Sequence, residues 1–192
     1  MGSGRAILCM ILGSVEKMSE LTDMTYCPVC NLPLLPDGGS GALSVLIVGE
    51  FPGWKEIQTG RLFSGPTGRV LSSELARVGI PLQACRYTNL WRHEFTNEMR
   101  KDEAHVSLMV LDLIEKMKWA DHILLMGSEL ARTVLGCGVM EVAGLEIEPP
   151  FPFPQKPVTF APNPASALYS NHGEFRLAIQ KFGWRFQERQ NG

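Results

Sequence analysis

Four short runs of aliphatic, aromatic and β-branched residues, at 43–48, 85–88, 122–126 and 157–161, are separated by segments with helical periodicity. Between the first two runs, Val70, Leu71, Leu75 and Val78 recur at the spacing of one helix face, which predicts a helix over 67–78. Val106, Met109, Val110, Leu113, Ile114 and Met117 predict a second over 102–118. A short helix over 128–135 follows the third run, and a closing helix is expected over 173–182. Strands that alternate with helices form a parallel sheet with right-handed crossovers. The expected fold class is therefore α/β: a single-domain three-layer α/β/α with a central, mostly parallel four-stranded sheet. The first run is apolar without alternation, as a strand covered on both faces must be.

Ligands of such sheets bind where the strands end at their carboxyl edge. The loops leaving those ends hold the unusual residues: Gly49-Glu50-Phe51-Pro52-Gly53 after the first strand, Asn89 after the second, Gly127-Ser128 after the third and Asn163-Pro164-Ala165-Ser166 after the fourth. Polar side chains beside glycine and proline thus converge on one edge.

At 192 residues the chain is long enough for one domain with a core. Its net charge of -2 excludes a protein coated in positive charge, but a local basic strip is enough to meet phosphates. Arg61, Arg69, Arg86, Arg92, Arg100, Lys101 and Arg132 are candidates for that strip, with solvated surface charge the plainer reading. The apolar run at 6–12 is too short to cross a bilayer. Two readings stand for it, a signal-peptide core and a simple tail. Five cysteines do not make an even secreted framework, which favours a tail on a reduced, cytoplasmic protein, and a monomer is expected. The domain is expected over 26–186, between tails at 1–25 and 187–192.

The run 48–56, Val-Gly-Glu-Phe-Pro-Gly-Trp-Lys-Glu, followed by Gly-Arg-Leu-Phe-Ser-Gly-Pro-Thr-Gly at 60–68, resembles the first motif of the family 4 uracil-DNA glycosylases. Tyr87-Thr88-Asn89 resembles that family's uracil-reading strand end, and Asn163-Pro164-Ala165-Ser166 stands where it has a His-Pro motif. The resemblance runs from about residue 27 to about 182. It implies an enzyme that hydrolyses the N-glycosidic bond of uracil, or a related pyrimidine, flipped out of DNA.

Each role has a chemical reason. Phe63 offers a ring for the base to stack on, or is a core ring. Asn89 carries an amide that donates and accepts at once, which matches the O4 and N3–H edge of uracil; capping a strand end is its plainer reading. Gly49 and its neighbour Phe51 line the approach to the base. Cleavage builds positive charge on the sugar and negative charge on the leaving base, so a carboxylate is wanted near the sugar. Glu50 is the first candidate to orient water or stabilise that cation, Glu56 the second, and a structural carboxylate is the alternative for each. Asn163 is the third catalytic candidate. It replaces the family's histidine, and its Asn-Pro start is similar to the mismatch-specific branch. Ala165, Ser166 and Leu168 (or Tyr169), with Arg61, are placed to meet DNA.

A rival reading takes 65–68 as a phosphate-cradling loop, but no Gly-Lys-Ser/Thr follows it. A weakly catalytic DNA-binding module and a glycosylase for a hypermodified base also remain open, prompted by Asn163 and by Phe51.

Cys27 and Cys30 form a C-x-x-C knuckle ahead of the core. The resemblance implies half of a four-cysteine iron–sulfur site there. His93 aligns where the third cysteine would be, and His105, with Ser107 as competitor, near the fourth. Two cysteines and two histidines suit tetrahedral zinc, a cluster with histidine ligands is a second option, and a bare knuckle is the third.

Overall fold

The structure, a computed structural model, describes residues 24–169 and 172–192. The apolar run at 6–12 and all but the end of the expected N-terminal tail lie outside them. Among the described residues the elements follow in the order β1 (Val45–Gly49), α1 (Trp54–Thr59), α2 (Pro66–Arg77), β2 (Arg86–Asn89), α3 (Glu103–Trp119), β3 (His122–Met126), α4 (Ser128–Leu135), α5 (Val139–Val142), β4 (Glu146–Ile147), β5 (Val158–Ala161) and α6 (His172–Asn191).

The strands form one sheet in the order β2-β1-β3-β5-β4. Every pairing is parallel except β4 with β5. The sheet therefore has five strands rather than the expected four. The fifth, β4, is two residues long at the edge, too short to show any period in the sequence.

Alternation along the strands divides the core. Leu46, Val48, Ile123, Leu125, Val158 and Phe160 pack with α3, α4 and α5 on one face. Val45, Ile47, Leu124, Met126 and Ala161 pack with α2 and α6 on the other. The result is the three-layer arrangement. β1 and β3 are buried at every position, because helices cover both faces, whereas β2 opens with two half-buried residues.

Local chemistry sets the helix ends. The Asp102 side chain accepts from the Ala104 amide at 3.0 Å and starts α3. Pro66 stands in the first turn of α2, where a missing N–H costs nothing. α6 continues past the expected end at 182 because Phe175, Ile179, Phe182 and Phe186 extend one buried stripe.

β1 and β3 are neighbours whose onward connections lead to opposite sides of the sheet. The crevice above their carboxyl ends is the topological switch point, where such folds bind ligands.

Candidate active site and metal centre

A cavity of about 140 Å³ opens at that switch point, lined by Gly49, Glu50, Phe51, Gly53, Glu56, Phe63, Thr67, Asn89, Asn163, Pro164 and Ala165. It is smaller than the ~300–1,000 Å³ pockets that hold drug-sized ligands, and suits a single ring. All three catalytic candidates and all four base-binding candidates from the sequence line it, together with Ala165.

β1 and β2 are in register at Gly49 and Asn89, so Asn89 enters the cavity beside Gly49. It is 4% exposed. Among the described residues its amide has no hydrogen-bond partner, leaving donor and acceptor free toward the cavity. Gly49 is required for this approach: a Cβ there would lie 2.4 Å from Asn89 Oδ1 and 3.1 Å from the Phe63 ring. Phe63 takes a left-handed backbone, φ 52°, uncommon for a bulky residue. A Cβ on Gly68 would meet the Phe63 carbonyl oxygen at 1.8 Å, so the first turn of α2 closes onto that residue only because position 68 is bare. Tyr87 braces the Phe63 ring edge-on, centroids 5.7 Å apart.

Glu50 has both oxygens engaged. Oε1 accepts from the Glu129 amide at 2.7 Å, and Oε2 accepts from Asn163 Nδ2 at 2.6 Å. The first contact ties β1 to α4, whose N-cap Gly127 has no side chain to offer. The carboxylate is thus the cap of a helix from another strand, and its charge lies at the favourable end of the α4 dipole. Gly127 must be glycine, since a Cβ would lie 2.1 Å from Glu50 Cδ. A carboxylate offers about four lone-pair sites, so each oxygen keeps one beyond these contacts. Asn163 is held in turn by the Ala165 amide, which donates to its Oδ1 at 2.9 Å. Glu56 accepts from the Gly53 amide at the start of α1. Burial raises its pKa, against the opposing pull of the Gly53 and Phe63 amides.

The cavity mouth is aromatic. Phe51, 44% exposed, stacks on Phe95 at 5.1 Å and 12°. Phe95 meets Trp91 at 4.9 Å, which makes Trp91, 2% exposed, a core residue. Phe95 escaped the sequence reading because nothing in its neighbourhood marks it. Leu168 and Tyr169, 42% and 86% exposed, project from the loop after β5, while Ser166 bonds back to the Asn163 carbonyl.

The basic strip needs correction. Arg92 is 4% exposed, donates to the Leu35 carbonyl and faces Asp37 and Asp112, so it is structural. Arg86 lies at the opposite end of β2, over the Trp119 ring. Arg100 and Arg132 both pair with Glu129. Arg61 and Arg69 are exposed near the cavity loops. A larger cavity of about 590 Å³, lined by Trp91, Arg100, Met109, Glu129 and Arg132, lies between α3 and α4, and no residue of the sequence motifs lines it.

The four metal-ligand candidates do meet. One ligand atom each from Cys27, Cys30, His93 and His105 lies within 4.8 Å of all the others, so the group can hold a metal ion. Burial lowers the His93 pKa, which favours the neutral ring that metal binding needs. Ser107, the competing candidate, lies two residues past His105 along α3, buried, with no hydrogen-bond partner for its hydroxyl among the described residues. Cys85 is buried apart from it, its thiol pushed up to about 12.

The architecture is a doubly wound sheet with a ring-sized polar and aromatic cavity at its switch point. The family model of the uracil DNA glycosylase superfamily matches residues 36–187. The chain belongs to that superfamily. It is also similar to the type-4 uracil-DNA glycosylase of Pyrobaculum aerophilum, 30% identical over 108 residues, which are 54% of this chain and 54% of the relative. The match thus spans about half the length of that relative.

Proposed function

We propose that the chain is a monofunctional DNA glycosylase that hydrolyses the N-glycosidic bond of uracil, or a closely related pyrimidine, after the nucleotide is flipped into the 140 Å³ cavity. The observation that carries this reading is the unspent amide of buried Asn89 beside the Phe63 ring. A base stacked on Phe63 would receive a hydrogen bond at O4 from the Asn89 NH₂ and give one from N3–H to its carbonyl oxygen. Cytosine presents the reverse pattern.

Glu50 is the catalytic carboxylate. Its remaining lone pairs can orient a water, and its charge opposes the positive charge that develops on the sugar. Asn163 acts through Glu50 as a positioning residue, since its amide is committed to Glu50 Oε2 and the Ala165 amide. Glu56 shapes the α1 turn and is not assigned chemistry. Leu168 and Tyr169 are the wedge that fills the space the flipped base leaves, and Arg61 and Arg69 meet phosphates. None of the four metal-ligand candidates lines the cavity, which favours a structural centre.

A second reading, a DNA-binding module with little turnover, is favoured by one contact. Asn163 keeps a single N–H beyond its bond to Glu50, so it stabilises a departing base anion less than a cationic imidazole would.

The test is base release from oligonucleotides carrying one uracil, single-stranded and opposite G or A. Wild type should leave alkali-labile abasic sites. Asn89→Ala should lose at least ~100-fold in rate with its melting temperature unchanged, because that amide has no protein partner to lose. Glu50→Gln should lose ~100- to 1,000-fold, the scale of removing a group aimed at developing charge, while still binding uracil DNA. Folded wild type that binds DNA yet releases no uracil would favour the binding module or a modified base.

A further inference from the structure

The resemblance to family 4 implies a four-cysteine iron–sulfur cluster, and these residues do not supply four cysteines. Two of the four positions are imidazoles. The spacing is also too small. Cys27 Sγ lies 3.4 Å from His105 Nε2, Cys30 Sγ lies 3.9 Å from His93 Nε2, and no two of the four atoms exceed 4.8 Å. A four-iron cube takes one ligand on each corner, pointing outward, and a two-iron cluster with histidines holds its cysteines on one iron and its histidines on the other, so in either a cysteine sulfur stands well apart from a histidine nitrogen. Four donors around a single ion at ~2.0–2.3 Å stand ~3.3–3.8 Å from each other in a tetrahedron. The observed separations, 3.4 and 3.9 Å for two cysteine–histidine pairs and at most 4.8 Å for any pair, lie nearer the second case.

The surroundings are those of a metal site as well. His105 Nδ1 faces Asp102 Oδ2 at 3.2 Å, and His93 Nδ1 faces the Glu94 carbonyl oxygen at 2.7 Å. Each partner holds the proton on Nδ1 and turns Nε2 inward, as outer partners of metal-bound histidines do. Cys27, His93 and His105 are 1%, 0% and 3% exposed and Cys30 is half-buried, so three of the four donors are shut off from solvent.

We propose that Cys27, Cys30, His93 and His105 bind one tetrahedral zinc ion in place of the cluster. The site is a redox-inert clip with two thiolates balancing the charge of the ion. It joins three segments that the sheet does not hold together: the knuckle, the loop after β2 and the first turn of α3. Its reach extends to the cavity. The Leu35 amide donates to the Arg92 carbonyl, the Trp91 amide donates to the Glu50 carbonyl, and Trp91 packs near both imidazoles and on Phe95. The clip therefore fixes the loop that connects Asn89 to the cavity mouth. This inference does not depend on the substrate.

The experiment measures zinc, iron and acid-labile sulfide in the full chain, purified without added metal. One zinc per chain, no iron, no sulfide and no visible colour are expected. Replacement by Co²⁺ should give the intense visible bands of a tetrahedral thiolate–imidazole site. Cys30→Ser and His93→Gln should bring zinc to near zero, while Cys85→Ser and Cys137→Ser leave it at one. If the ligand variants do not fold, thiol modification of wild type in the presence of a chromogenic chelator should release one zinc. Stoichiometric iron and sulfide, folded metal-free protein, or zinc that survives loss of the ligands would overturn the assignment. Uracil release measured on the same samples stands apart: inactive protein with one zinc would count against the glycosylase reading alone.

Discussion

Glu50 shows why a plain structural role and a chemical role need not exclude each other. The carboxylate caps α4 through the Glu129 amide and also faces the cavity. Removing a cap costs typically ~1 kcal/mol, so activity and melting must be read together at this position. Gly49 is a cleaner probe. Gly49→Ala inserts a methyl group 2.4 Å from Asn89 Oδ1 and 3.1 Å from the Phe63 ring. The variant should fold but bind uracil DNA with at least tenfold weaker affinity for the flipped base, read as a rise in KM for base release. Glu56 separates structure from catalysis by pH. Burial raises its folded pKa, so its contribution to stability is full below the ordinary carboxylate value and is lost as pH rises through the folded one. Glu56→Gln keeps an acceptor for the Gly53 amide without a charge. It should melt higher than wild type at neutral pH, with the gap closing as pH falls below ~4. An unchanged gap across that range would contradict the assigned cause.

At the scale of elements, β2 is the edge strand that delivers Asn89, and a buried ionic network anchors it. Lys116 of α3 donates to Asp112 at 2.7 Å, to Asp37 at 3.0 Å and to Thr88, the residue before Asn89, at 3.1 Å. Burial pushes the Asp112 carboxyl up, against the pull of Lys116 and Arg92. Lys116→Met leaves Asp112 without its main partner, and losing one member of a buried pair costs ~3–5 kcal/mol. Chemical denaturation should register that loss as a lower midpoint. The helices were legible where an apolar stripe ran over several turns, as in α2 and α3, while the short α4 was placed by Gly127 at the end of β3. α1 and α5 were not, because six and four residues do not complete enough turns to show a face. β4 was missed for the same reason, since its two residues owe their conformation to β5 alongside rather than to their own pattern.

At the scale of the molecule, the net charge of -2, the burial of Arg92 and the surface pairing of Arg100 and Arg132 with Glu129 leave few uncommitted cations for DNA. With about two to four phosphate contacts, affinity should fall only ~10- to 150-fold between 50 and 200 mM salt. A steeper slope, measured by fluorescence anisotropy on uracil DNA, would mean that a larger basic surface is engaged. No helix among the described residues is long and apolar enough to cross a membrane. The α/β class, the parallel sheet and the edge that carries the site could all be read from the chain. They depend on periodicity and on turn residues, which are local properties. Most residues now lining the cavity were also named from the sequence: Gly49, Glu50, Asn89 and Asn163 because loops at strand ends must converge when the strands are parallel, and Glu56 and Phe63 through the resemblance to family 4. Which of their atoms are already committed was not legible. That Glu50 is held by Glu129 and Asn163, that Arg92 is buried while Arg61 is exposed, and that two cysteines and two histidines close around a point are facts of contact between segments up to 113 residues apart. Only packing decides them, since a side chain's partners follow from where the sheet and helices bring it, not from its neighbours in the chain.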